Sequence, residues 1–175
     1  MRKIHVPMTS EQARNLRVGE RILLTGTIYT ARDAAHKRLV EEAKEGKELP
    51  INLYEVAIYY AGPAPAKPGQ IIGSCGPTTS GRMDTYTPWM IAQGQTVMIG
   101  KGLRSEAVIQ AMKQYGSVYL TAIGGAGALL SKCVKHMECI AYEELGAEAI
   151  YKLEVEEFPT IVTIDSKGNN LYIRD

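Results

Sequence analysis

The feature that most narrows the fold is an alternation of two hydrophobic periods along the middle of the chain. Residues 21–30 are rich in leucine, isoleucine and threonine and read as a buried strand. Residues 32–44 then take a helical period, with Ala35, Leu39, Val40 and Ala43 on one face, charges opposite, and Gly46 as the stop. The exchange repeats downstream: runs 54–60, 70–74, 96–99 and 117–123 read as strands, and 79–92 and 105–115 as helices. Strands separated by helical crossovers build a sheet with helices packed against it, so the middle of the chain is an α/β core.

The flanks are organised differently. Thr9 and Gln12 have capping-box spacing and open a short helix that ends near Gly19. Residues 126–133 read as a short helix and 137–142 as a strand. In the tail, 150–155 and 160–164 look like strands, and the turn 165–169 leads into 171–173 as a hairpin. These outer strands call for a second, mixed or antiparallel sheet. The proline-rich stretch 62–69 can be neither helix nor central strand; it is a stiff connector, or a lid or partner surface. No repeat or linker interrupts the chain, so residues 1–175 are expected to form a single domain.

Composition excludes several function classes. With 175 residues, 45% hydrophobic and 22% charged, the chain can bury a sizeable core. A net charge of +1 creates no field that would gather nucleic acid or an anionic membrane. The apolar runs 20–28 and 117–123 are too short to cross a bilayer, and no secretory leader pattern follows Met1. Cys75, Cys133 and Cys139 are odd in number and lack close pairing, as in a reduced compartment. A cytoplasmic location is expected.

Chemistry concentrates at Gly73-Ser74-Cys75-Gly76-Pro77-Thr78-Thr79-Ser80-Gly81-Arg82-Met83-Asp84. A strand runs into a Gly-Pro turn and then into three hydroxyl residues at an expected helix start, where free N–H groups favour anions. Thr78, Thr79 and Arg82 would add hydroxyls and a guanidinium fork to that first turn. A plain helix cap with an exposed arginine is the other reading of the same residues. Arg32 and Lys101 repeat the theme, each just beyond a strand, where α/β sheets gather ligands. Three cations in one topological position suit a substrate with two carboxylates. Gly124-Gly125-Ala126-Gly127 lacks dinucleotide-fingerprint spacing and reads as a tight turn, with a nucleotide-binding domain as the weaker alternative. His36 and His136 are isolated, no metal-ligand spacing is evident, and Cys75 is expected to pack in the core.

The string Gly76-Pro77-Thr78-Thr79-Ser80-Gly81-Arg82-Met83-Asp84, with Ile99-Gly100-Lys101-Gly102 and Ala31-Arg32-Asp33-Ala34-Ala35-His36, resembles the class I fumarase family of iron–sulfur hydro-lyases. The match is to the beta subunit of two-subunit forms, and L(+)-tartrate dehydratase beta subunits share the string. The resemblance implies a swivelling β/β/α three-layer domain with a mostly parallel central sheet and a second mixed or antiparallel sheet. It implies a 4Fe-4S cluster bound by a partner alpha subunit, none bound by this chain, an alpha2beta2 assembly, and a site at the seam between subunits. Arg32, Arg82 and Lys101 match positions that hold substrate carboxylates, Thr78 and Thr79 match threonines beside the substrate, and Thr78 matches the group that moves the C3 proton. The implied reaction is reversible hydration of fumarate to (S)-malate. Tartrate or mesaconate chemistry, and a non-enzymatic dicarboxylate-binding module, are the alternatives.

Overall fold

The computed structural model describes residues 1–123 and 131–173. Its strands are β1 (Arg2–Val6), β2 (Arg21–Thr30), β3 (Ala57–Tyr59), β4 (Val97–Gly100), β5 (Val118–Ala122), β6 (Val134–Ala141) and β7 (Ile150–Ile164). Its helices are α1 (Ser10–Arg14), α2 (Asp33–Lys44), α3 (Thr87–Ala92) and α4 (Glu106–Tyr115), with 3-10 turns at Ser80–Met83 and Glu143–Glu148.

The strands form a 7-stranded sheet in the order β1-β2-β3-β4-β5-β7-β6, and β2 also pairs with β7. That added pairing joins β2-β3-β4-β5-β7 into a ring, with β1 and β6 attached outside it. Neighbours from β1 through β5 run parallel, whereas β7 runs antiparallel to β2, β5 and β6. The fold is therefore mixed α/β.

Alternate strand residues face two cores, as the two-residue period requires. Ile22, Leu24, Ile28, Tyr59, Ile99, Leu120, Leu153 and Phe158 pack together on one side. Ile58, Met98 and Tyr119 point the other way and meet Ala35 and Leu39 of α2, Met90 and Ile91 of α3, and Val108 and Met112 of α4. Removing each large side chain from water contributes roughly 1.5–3 kcal/mol. β4 is buried at every position, as expected of a strand covered on both faces.

Several sequence expectations need correction. The strand expected at 54–60 is only Ala57–Tyr59, because Glu55 takes a positive φ of 61° just before it. Residues 70–74 are no strand: they turn back on the proline loop through the backbone bonds Ala64 N–H to Ser74 (2.8 Å), Gly73 N–H to Ala64 (3.2 Å) and Gln70 N–H to Lys67 (2.9 Å). The expected helix 79–92 is broken into the 3-10 turn Ser80–Met83 and α3. Pro88 explains the break, since a proline inside one continuous helix would clash with the preceding turn and lack its N–H; it sits instead in the first turn of α3. The runs 150–155 and 160–164 are one strand, β7, and it belongs to the same sheet as the parallel strands. Their apparent separation marks Glu157, at a φ of 51°, and Pro159, opposite an irregularity in β2 between Leu24 and Gly26. The turn 165–169 forms, but its return is only a bridge between Ile164 and Asn170, with no strand at 171–173. β1 had no counterpart in the sequence expectations, and α1 stops at Arg14 rather than near Gly19. Most of the helix expected at 126–133 lies outside the described residues.

Candidate active site

Because β2, β3 and β4 run parallel, their C-terminal ends share one edge, with neighbours about 4.8 Å apart. Ala31 N–H donates to the Tyr59 carbonyl (3.1 Å) and Tyr60 N–H to the Ile99 carbonyl (2.8 Å), extending the ladder just past the strands. The threonine string lies across this edge. Thr78 N–H donates to the Tyr60 carbonyl (2.6 Å), Ser80 N–H to the Lys101 carbonyl (2.8 Å), and Thr79 bridges Lys101. Arg32, Thr78 and Lys101 thus follow the ends of β2, β3 and β4 in spatial order.

The guanidinium of Arg82 reaches back from its 3-10 turn to the start of α2. Its Nε and Nη2 each lie 2.9 Å from Oδ2 of Asp33, the residue after Arg32. Arg32 Nε lies 3.9 Å from Oε1 of Glu148, close enough for an ion pair but beyond hydrogen-bond reach. Glu148 ends a turn clasped to α2 by Arg38 on Glu144 and by the Tyr142 hydroxyl on Glu42 (2.9 Å). Gly62 makes room for this arrangement, since a Cβ there would stand 3.2 Å from Arg32 Cδ and 3.0 Å from the Ala147 carbonyl. The Arg82 side chain remains 54% exposed and that of Arg32 26%, so both are accessible to a ligand. Lys101 is exposed and has no ion-pair partner among the described residues.

The same junction holds buried polar atoms without a hydrogen-bond partner: Thr30 Oγ1, Arg32 Nε, Asp33 Oδ1 and His36 Nε2. His36 lies beneath it, fully buried, edge-on to Tyr60 (5.6 Å) and stacked near Tyr86 (6.1 Å). Its Nδ1 carries the proton, because its partner at 2.8 Å is the Arg32 carbonyl, which can only accept. Burial lowers the imidazole to about 4, so the ring is neutral at pH 7.

Below the threonines is a second polar cluster. The Arg104 side chain has no solvent exposure and donates to Asp84 (2.8 Å), Thr87 (3.0 Å) and Tyr60 (3.2 Å), between the rings of Tyr60 and Tyr119. Asp84 also accepts the Ser105 N–H (2.6 Å). The Tyr119 hydroxyl donates to the Gly102 carbonyl (2.8 Å) and so accepts from Ser80 (2.8 Å).

The structure gathers the sequence-nominated residues as two linked pairs, Arg32 with Arg82 through Asp33 and Thr79 with Lys101, with Thr78 on the strand end between them. It corrects the expected helix-start anion site. The turn after Thr79 is only four residues long, and the N–H groups of Thr78 and Ser80 are already engaged by sheet carbonyls. Sequence reasoning assigned no role to Asp33, Asp84, Arg104 or Glu148. The first three lie in or beside the strings singled out, whereas Glu148, 116 positions from Arg32 (148 − 32), carries no local signal.

Cys75 packs in the core as expected, its thiol pushed up to about 12 by burial. Cys133 and Cys139 lie at and within β6, remote in sequence from Cys75. Among the described residues, no group of three or more His, Cys, Asp or Glu side chains is placed to hold a metal ion. No helix among them is long and apolar enough to cross a membrane. The Gly124 to Gly127 turn lies outside the described residues.

A mixed α/β sheet whose parallel strand ends present arginines, a lysine and threonines places this chain in the α/β class. Residues 1–174 match the family described as Fumarase C-terminus, and the chain belongs to that family. It is 48% identical over 157 residues to "Fumarate hydratase class I, anaerobic" of Escherichia coli (strain K12), covering 89% of this chain and 29% of that protein. It is 40% identical over 171 residues to "Putative L(+)-tartrate dehydratase subunit beta" of Methanocaldococcus jannaschii, covering 94% of this chain and 88% of that protein. A third relative, "Putative fumarate hydratase class I" of Geobacillus stearothermophilus, is 37% identical over 97% of this chain and 33% of its own length. The chain thus spans about a third or less of these fumarate hydratases and most of the subunit named beta.

Proposed function

We propose that this chain is the beta subunit of a class I fumarate hydratase, catalysing reversible hydration of fumarate to (S)-malate with an alpha subunit that carries a 4Fe-4S cluster. The supporting observation is the line of side chains along one strand edge: Arg32 and Arg82 tied through Asp33, Thr78 at the centre, and Lys101 bridged to Thr79. Two guanidinium forks and an ammonium suit a ligand with a carboxylate at each end.

In the dehydration direction, the C3 proton of malate passes to the Thr78 alkoxide and the C3–H electron pair forms the double bond of fumarate. The C2 hydroxyl leaves and takes a proton from an acid of the alpha subunit to become water; Thr78 then releases its proton to solvent and that acid is reprotonated. Thr78 is half-buried and its backbone N–H is held by the Tyr60 carbonyl. Threonine is a weak base, so neighbouring cations must stabilise the alkoxide form. Arg32, Arg82 and Lys101 orient both carboxylates and stabilise charge developing on the one next to C3. A cluster on the partner would supply Lewis-acid chemistry at the departing hydroxyl. The three-layer swivelling arrangement, the alpha2beta2 assembly and a cytoplasmic location belong to the same proposal.

L(+)-tartrate dehydration is the second reading, favoured by the 88% coverage of the relative named as a tartrate dehydratase subunit beta. Anaerobic co-expression with the alpha subunit, followed by assays on fumarate, L-tartrate and mesaconate, separates the substrates. If the chain is a stand-alone dicarboxylate-binding module, it binds malate by itself and gains no hydratase activity from that partner. In the active pair, Arg82→Ala lowers turnover about a hundredfold or more without loss of folding or subunit association. Near-normal turnover in that variant would remove Arg82 from the site.

A further inference from the structure

Resting on the hydro-lyase reading above, we propose that buried Arg104 is a positioning residue that sets Lys101 against the threonine string. Lys101 and Thr79 belong to different loops, one following β4 and one preceding α3. A single backbone bond from Ser80 to Lys101 and the adjoining bridge join them at the surface. Beneath, the further hydrogen bonds between the two loops among the described residues run through the Arg104 cluster or its neighbour Tyr119. Arg104 and Ser105 from the first loop grip the two carboxylate oxygens of Asp84 from the second. Arg104 extends this hold to Thr87, which donates to the Met83 carbonyl (2.8 Å) beside Arg82. Tyr119, stacked under the guanidinium, joins Ser80 to the Gly102 carbonyl. Gly100 lets the loops approach, since a Cβ there would lie 2.0 Å from Ser80 Oγ.

A guanidinium that donates to Asp84, Thr87, Tyr60 and the Met98 sulfur from a fully buried position fixes a geometry that a flexible ammonium cannot. Arg104 touches no substrate in this scheme; it acts through Lys101. Displacing a carboxylate-holding group by about 1 Å costs on the order of a hundredfold in rate, so Arg104→Lys in the assembled enzyme should lower kcat/KM by roughly 10- to 100-fold.

A double-mutant cycle with Lys101→Met separates positioning from general support. With Lys101 already gone, Arg104→Lys should cost less than about threefold, because the group it positions is absent. Equal losses in both backgrounds overturn the proposal. Amide exchange at Ser80 gives a readout independent of substrate: Arg104→Lys should speed it selectively while the strands of the ring stay protected. An unchanged Ser80 amide also overturns the proposal. If Arg104→Lys does not fold, Tyr119→Phe removes one hydroxyl of the same cluster and is put through the same two measurements. A wild-type pair inactive on fumarate, tartrate and mesaconate would sink the proposed function, while Ser80 exchange would still decide whether Arg104 joins the loops.

Discussion

His36 has no solvent exposure, donates one ring proton to the Arg32 carbonyl and leaves its other nitrogen without a protein partner. The unfolded chain protonates this histidine below its ordinary value of 6.5, whereas the folded protein keeps it neutral down to about 4. Between those values the unfolded state binds more protons, so stability falls as pH drops through the window. The depression corresponds to at most about 3 kcal/mol. Urea midpoints at pH 7, 5.5 and 4.5 should therefore decline, and the decline should be shallower in His36→Gln. Parallel declines in the two proteins would show that His36 is not the titrating group. The sequence displayed this residue only as an isolated histidine on a helix, because its burial depends on Tyr60 and Tyr86 from other elements.

Among the elements, those with local causes were legible. β2 and its bounds, the body of α2, and α4 with its Ser105 cap and left-handed Gly116 follow from periodicity and capping alone. The capping box of α1 is present in both directions, with Gln12 N–H on Thr9 Oγ1 (3.1 Å) and Thr9 N–H on Gln12 Oε1 (2.9 Å). Thr9→Ala should thus cost about 1 kcal/mol of stability, read as a shift in denaturant midpoint; an unshifted midpoint would mean that α1 contributes nothing to cooperative folding. Elements with non-local causes were not legible. β1 is five residues long with mixed exposure, and its partner is β2, where Gly26 lets it approach: a Cβ there would stand 2.0 Å from the Val6 carbonyl. The split of 79–92 was legible in principle from Pro88, since a helix cannot run through it unbroken.

For the whole molecule, the β2–β7 pairing is the closing step. It brings residue 21 opposite residue 161 and encloses the core of Ile22, Leu24, Tyr59, Ile99, Leu120 and Phe158. Amides of β2, β4, β5 and β7 should exchange slowest, near the global unfolding limit, and those of β6 and residues 62–69 fastest. Among the described residues β6 pairs with β7 alone and its residues are mostly unburied, and 62–69 form no strand or helix. Hydrogen exchange read by mass spectrometry checks this ordering; a β6 as protected as β4 would contradict the ring as the cooperative unit.

The sequence by itself determined the α/β class, the strand-end position of Arg32 and Lys101, and the threonine–arginine string, because periodicity, caps and turn residues are local properties. Only the tertiary structure decided that Arg82 turns back onto Asp33, that Glu148 faces Arg32, and that Arg104 lies buried between two loops. Those outcomes depend on which strands become neighbours. Neighbour choice is a competition among long-range burials that no short stretch of residues records.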